Sequence, residues 1–595
     1  MTMSASVRSE QTEPAGVRRY RTRRRLVEQV RRKKSGGERW RLVIARAPLY
    51  KDSDPMDFDA IMYVTIAARP ELERGMAGQG SRPLSTVSGR SSCSPRRSFT
   101  GSDRRSAMDP FATATETLTV LRARKASAIE LLELHRKRIA RHNPELNAIV
   151  EPDFDRARQA AEAADRRRVA GEDAPLLGLP MTLKESINVR GLRTTVGMPF
   201  WKDARVDYDA PVTARVQAAG AVVMGKTNVP QMLADWQSSN PVYGRTNNPW
   251  DLARTPGGSS GGSAAVLAAG LTTLEFGSDI GGSIRVPAAF CGVYGHRPSD
   301  SVMPRSGQFP FPPMPNSALA MAVLGPLARS AEDLEAALEV AAGPEVGEDV
   351  AWRLTLPAAR HERLSAFRVA ILPALDWMPL DSEIATALEA LASRLGRLGC
   401  TVKRAQPEGL GDHREFFALY LTLLSAITTA RMPVEQRRAT AETMRTRDDE
   451  WSRATQRGIE AGAPDYLLWI GRREQIRAAW RAFFREWDVL LAPAFFTVAY
   501  PHWDKPTPAT PESIRKTLDV NGAPALETLG LFYPAVATVP GQPATAFPVG
   551  RTRAGLPMGL QAIGPYLEDR TPIRFAALVA RELGGFTPPP RYAAD

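Results

Sequence analysis

Between Ser127 and Asn143 the stretch SAIELLELHRKRIARHN sets Ile129, Leu132 and Ile139 at helical intervals, behind Ser127 and Glu130 in capping-box spacing. The pattern predicts an amphipathic helix, and FDRARQAAEAADRRRVA from Phe154 predicts another. GLPMTLKES and AAGAVVMGKT differ in kind. They are short apolar runs bounded by Gly and Pro, which predicts buried strands. Further helices are expected over SAEDLEAALEVAAG, SEIATALEALASRLGRLG and GRREQIRAAWRAFFREW, and further strands over FRVAILP, DVLLAPA and PMGLQAIG. Strands alternating with helices predict an α/β fold: a large mixed sheet flanked by many helices, with a helical insertion over roughly 380–485.

Residues 1–107 break this pattern. RRYRTRRRLVEQVRRKK and a Ser-, Gly- and Arg-rich tract bury too little to offset their ordering entropy, so a disordered leader is expected before a main domain at 108–595. The abrupt change suggests Met108 as the true start. The leader also accounts for the charge. The chain is +13 overall, but residues 1–107 hold 23 Lys and Arg against 11 Asp and Glu, and the remainder 55 against 54. A phosphate-binding face on the main domain, and with it nucleic acid as a partner, is therefore not expected. The basic run from Arg18 to Lys34 reads as a solvated tail.

Three scattered cysteines and six histidines without paired spacing offer neither a disulfide framework nor a metal site. No apolar run is long enough to span a bilayer, and the charged start lacks the apolar core of a signal peptide. A cytoplasmic protein without metal or cofactor is expected. Cys291 reads as a small buried hydrophobe, and His502 as a pocket-lining or solvent residue.

Candidate chemistry gathers around two serines set among glycines, Gly257-Gly258-Ser259-Ser260-Gly261. A hydrolase elbow needs a buried strand just before the serine, and NNPWDLARTP does not supply one. GAVVMGKT, from Gly220, matches a phosphate loop letter for letter, yet Ala-Val-Val-Met reads as strand interior. A third reading uses more of the chain. Ser283 lies 24 residues after Ser259 in GSDIGGSIRVPAAF, where Gly281, Gly282 and Ser283 can turn successive amides toward one point. A serine nucleophile needs a base, and Lys184 can serve if burial keeps its amine neutral. Ser259 can pass the proton between them.

The block GGSSGGSAAVLAAGLTTLEFGSDIGGSIRVPAAFCGVYGHRPS resembles the signature of the amidase signature family. LPMTLKESINVRGLRTTVGM, GKTNVPQ and GRTNNPWD resemble its upstream blocks, and GQPATAFPVG and AGLPMGLQAIGP its C-terminal strands. The resemblance implies a Ser–cis-Ser–Lys triad with Ser283 as nucleophile, Ser259 after a cis peptide from Gly258, and Lys184 as base. It further implies oxyanion amides at Ile280, Gly281, Gly282 and Ser283, with Ser260, Asp279 and Arg285 bracing the loop. Two departures are Glu185-Ser186, where Asp-Asn is common, and His296, where Lys is common.

The activity expected is hydrolysis of a carboxylic amide through an acyl-enzyme on Ser283. The partner expected is a small-molecule amide, with a second copy of the chain also admitted. The alternative is the glutaminase subunit of a tRNA-dependent amidotransferase. A different class, an ATP-binding protein, rests on GAVVMGKT alone. Phe416 and Phe495, in two apolar segments, are candidate pocket walls, with plain core packing the competing reading. A chain beginning at Met108 is expected to stay soluble and to keep the activity of the full chain. Expression of both forms, followed by turnover of the same amide, checks this.

Overall fold

The computed structural model describes residues 108–310, 320–503 and 516–593. The leader and the Arg18–Lys34 run lie outside the described residues. Helix α1 (Ala128–Leu146) starts on the predicted cap: Ser127 Oγ accepts from the Glu130 N–H at 3.1 Å, and the Glu130 carboxylate accepts from the Ser127 N–H at 2.8 Å. Strand β1 (Ile149–Pro152) and helix α2 (Phe154–Val169) follow, then β2 (Pro180–Lys184) and β3 (Val222–Thr227). These strands form a small sheet of order β1-β3-β2, with β2 parallel to β3 and β1 antiparallel to it.

The glycine-serine stretch leads into α3 (Gly261–Ala268), all of whose residues are buried. Small side chains are required here. A Cβ on Gly262 would overlap the backbone of Asn228, just past β3, so only glycine lets the helix lie this close to the small sheet.

The large sheet comprises β4 (Leu274–Asp279), β5 (Tyr294–Arg297), β6 (Val323–Ala328), β7 (Arg368–Ile371), β8 (Thr401–Arg404), β9 (Val489–Pro493), β10 (Ala544–Arg551) and β11 (Pro557–Ile563). Its eight strands run in the order β8-β7-β9-β11-β10-β5-β6-β4. Strands β8, β7 and β9 are mutually parallel and the remaining neighbours antiparallel, which gives the mixed sheet. Helix α4 (Arg285–Cys291) follows β4 directly, and α5 (Ala331–Ala341) follows β6.

Helices α6 (Ser382–Arg397), α7 (His413–Thr428), α8 (Val434–Arg445), α9 (Glu450–Glu460) and α10 (Ala463–Glu486) occupy most of 380–485. That segment is not purely helical, since β8 leaves it to extend the sheet edge beside β7. Helix α7 belongs to an aromatic cluster that includes Phe417, Tyr420, Trp451, Phe495 and Phe532, whereas a largely aliphatic cluster fills the space around β2, β3 and β4. Among the described residues no helix is long and apolar enough to cross a membrane.

Gly458 sets the crossing of α7 and α9. A Cβ there would overlap the Thr422 carbonyl oxygen, and the Thr422 hydroxyl already donates to Ala454 O across the same contact at 3.0 Å. Gly458→Ala is expected to cost about 1–3 kcal/mol by overpacking. Chemical denaturation should register it as a lower midpoint with an unchanged slope.

Candidate active site

Lys184 is the last residue of β2, paired in register with Thr227 at the end of β3. Its side chain is fully buried. The amine Nζ lies 2.7 Å from Ser259 Oγ, 3.0 Å from Ser260 Oγ and 2.9 Å from Ser278 Oγ. Its direct partners are thus hydroxyls. Burial pushes the lysine down to about 7, against the opposing pull of the more distant Asp279, Glu275 and Glu185 carboxylates. A neutral amine has two N–H groups and one lone pair, which matches three hydroxyl neighbours without a remainder.

Ser259 follows a cis peptide bond from Gly258, as the resemblance implies. Ser260 sits at the cap of α3, and its backbone N–H donates to Ser283 O at 3.1 Å. That single bond ties the two glycine-flanked serine loops together. On the other side, Ser238 Oγ donates to Gly257 O at 2.9 Å and accepts from the Gly261 N–H at 3.1 Å. Accessibility rises along the row, from 0% at Lys184 through 1% at Ser259 to 8% at Ser283. Ser283 is therefore the most accessible of the three.

The loop between β4 and α4 wraps around a carboxylate. Asp279 accepts from the backbone N–H of Gly282 at 3.0 Å and of Ile284 at 3.1 Å, and from Arg285 Nε at 3.1 Å and Nη2 at 2.9 Å. Burial would raise this carboxyl, but the Arg285 guanidinium overrides it and holds Asp279 down at about 2. Arg285 then reaches outward to Gln561 Oε1 at 2.7 Å, Pro534 O at 3.0 Å and Thr538 Oγ1 at 3.0 Å. The brace thus spans from β4 to β11.

Of the four amides that the resemblance implies for the oxyanion, that of Gly282 already donates to the Asp279 carboxylate at 3.0 Å. Gly282 is also needed for its backbone: φ is +86°, and a Cβ would come within 2.6 Å of Pro534 Cγ.

Phe416 and Phe495 are interior residues, 3% and 1% exposed. Phe495 packs edge-on against Trp236 at 4.9 Å, and the Trp236 backbone in turn abuts Gly258. Nearer the loop, Leu531 and Tyr420 stand over Gly281. Tyr420 also donates its hydroxyl to Ile280 O at 2.9 Å. A separate cleft of about 380 Å³, between Ala374 and Trp377 on one side and Asp412 and Arg414 on the other, includes none of the triad residues.

The phosphate-loop reading of GAVVMGKT does not survive. Gly225, Lys226 and Thr227 belong to β3, and buried Lys226 donates to Arg193 O at 2.6 Å and Thr194 Oγ1 at 2.7 Å. Cys291 is buried with its thiol pushed up by desolvation and directed at Pro256 O, 3.4 Å away. His296 bridges Thr545 and Asp569 in the interior. His502 places Nε2 3.2 Å from Leu252 O.

Sequence reasoning missed Ser278, Tyr420, Thr538 and Gln561. Ser278 stands directly before Asp279 in the signature block, so its position could have drawn notice. Gln561 stands in AGLPMGLQAIGP, a block that already resembles the family's C-terminal strands, whereas Tyr420 and Thr538 come from distant segments with no motif of their own.

The amidase family model matches residues 130–572. The chain is 32% identical over 464 residues to an indoleacetamide hydrolase of Bradyrhizobium diazoefficiens, covering 77% of this chain and 84% of that one. It is likewise 32% identical over 480 residues to a glutamyl-tRNA(Gln) amidotransferase subunit of a Synechococcus species, covering 76% and 92%. Its fold is similar to that of a 6-aminohexanoate cyclic dimer hydrolase solved with substrate, with TM-score 0.66, 27% identity and 81% and 99% of the two chains covered.

The base role expected of Lys184 predicts that turnover climbs as pH rises through about 7, where the amine gives up its proton, and falls below it. A kcat/KM profile reaching roughly two pH units to either side checks the midpoint. With a buried lysine among hydroxyls from two linked serine loops, and a family model matched across residues 130–572, the chain belongs to the amidase signature family and is a hydrolase acting on amide bonds.

Proposed function

We propose that Ser283 attacks the carbonyl carbon of a small-molecule amide while Ser259 takes its proton and passes its own to Lys184. The observation that carries this reading is the 2.7 Å contact between Lys184 Nζ and Ser259 Oγ, made by an amine that burial brings down to about 7. Ser260 and Ser278 then accept the two N–H groups of the neutral amine, which leaves its lone pair for Ser259. The tetrahedral oxyanion is received by the amides of Ile280, Gly281 and Ser283. Collapse of the intermediate breaks the C–N bond, the proton returns through Ser259 to the leaving amine, and an ester to Ser283 remains. Water, deprotonated by the same route, hydrolyses that ester and restores the serine.

Ser283→Ala is expected to abolish both turnover and labelling by a fluorophosphonate, whereas Ser260→Ala retains labelling. Labelling of the Ser283→Ala protein at Ser259 or Ser260 would contradict the assignment. Lys184→Arg is expected to lose about 100- to 10,000-fold in kcat/KM, nearly as much as Lys184→Ala, since arginine cannot accept the proton.

For the substrate we favour amides or anilides with apolar acyl groups. Leu531, Tyr420 and Pro534 close around Gly281 and Gly282, and the indole and aminohexanoyl groups named for two relatives are largely apolar as well. Each methylene buried on binding is worth ~1 kcal/mol of discrimination, so rates should rise with acyl length until the site is full. An amide panel including glutamine tests this. A steady fall with acyl length would overturn it, and glutamine deamidation that requires added partner subunits would favour the amidotransferase reading. We place the protein in the cytoplasm, in keeping with the free, buried thiols of Cys291 and Cys400.

A further inference from the structure

The amides that receive a substrate oxygen must be held in direction before the substrate arrives, and the loop at 280–283 carries no regular secondary structure that would hold them. Two grips replace it. Asp279 takes the Gly282 N–H at 3.0 Å and fixes the peptide between Gly281 and Gly282. The peptide between Ile280 and Gly281 is gripped from the opposite element: Tyr420 of α7 donates its hydroxyl to Ile280 O at 2.9 Å. In a planar trans peptide the carbonyl and the following N–H point in opposite directions. A hydrogen bond that pins Ile280 C=O toward α7 therefore turns the Gly281 N–H away from α7.

We propose that Tyr420 is a positioning residue, which orients the Gly281 amide for the oxyanion by holding the Ile280 carbonyl from helix α7. The inference rests on the amidase reading above and adds to it a residue from outside the signature block.

The surroundings of Tyr420 suit this role. Its side chain is fully buried, and its ring lies nearly parallel to Phe417, with centroids 6.3 Å apart and planes at 10°. Burial raises the phenol's pKa further above its already high ordinary value, so the hydroxyl stays a donor through the working range. A Cβ on Gly281 would stand 3.3 Å from the phenol oxygen and 3.0 Å from Leu531 Cδ2, so the hydroxyl and the leucine fill the space into which a side chain would project. The Thr422–Ala454 bond and the Gly458 crossing hold α7 itself in place.

Tyr420→Phe removes the hydroxyl and keeps the ring. It is expected to slow fluorophosphonate labelling of Ser283 and to lower kcat, each by about 10- to 100-fold, with KM within about twofold. The pH midpoint set by Lys184 should not move. Phe417→Leu is the control: it disturbs the same packing but leaves the hydroxyl, and should lower thermal stability without slowing labelling. A folded Tyr420→Phe protein labelled at the wild-type rate overturns the inference, as does a Phe417→Leu protein that reproduces the loss. Failure of the wild-type chain to label, or labelling that persists in Ser283→Ala, would overturn the assignment of Ser283 as nucleophile and this inference together. Normal labelling of the wild type at Ser283 with an unaffected Tyr420→Phe removes only the role of Tyr420.

Discussion

An amine held out of water among hydroxyls is the constraint on which the site depends. Lys184 can act as a base only when neutral, and a lysine in water is not neutral near pH 7. Full burial at the end of β2 supplies the shift, and the nearest polar groups, three serine hydroxyls, solvate the amine without restoring its charge. A carboxylate in direct contact would undo the effect. Asp279 is close enough to oppose it, yet its charge is spent on Arg285 and on backbone N–H groups.

The second requirement is that three segments far apart in the chain meet within a hydrogen bond of one another. Lys184 comes from the small sheet, Ser259 and Ser260 from the approach to α3, and Ser278 and Ser283 from β4 and the turn after it. Helix α3 achieves this by opening on Gly261, Gly262 and Ser263, so that it packs against Asn228 on one side while its cap residue Ser260 lies against Gly277 of β4 on the other. The Ser260–Ser283 backbone bond completes the junction. The glycines around the serines thus serve packing as much as chemistry.

The Asp279–Arg285 pair extends the same logic outward. It is a buried ion pair in which each partner makes several further hydrogen bonds, the condition under which burying charge is tolerated. Through Arg285 the turn that bears Ser283 is tied to Pro534, Thr538 and Gln561, so the C-terminal part of the chain helps to hold the turn.

Much of this was legible in the linear chain. The capping box at Ser127, the strands ending in Lys184 and Thr227, and the paired serine blocks each depend on short-range spacing, which a sequence displays directly. The phosphate-loop match at Gly220 could also be discounted there, since an apolar run before Gly-Lys-Thr belongs to a strand interior. What only the tertiary structure decided involves groups brought together from afar. The lysine's neutrality depends on how completely the fold excludes water. Whether the Gly282 amide is free depends on where the Asp279 carboxylate turns. Phe416 and Tyr420 lie one helical turn apart on α7 and look alike in the sequence, yet it is Tyr420 that reaches the Ile280 carbonyl, because direction across an interface is set by how α7 is docked and not by the residues of α7 alone.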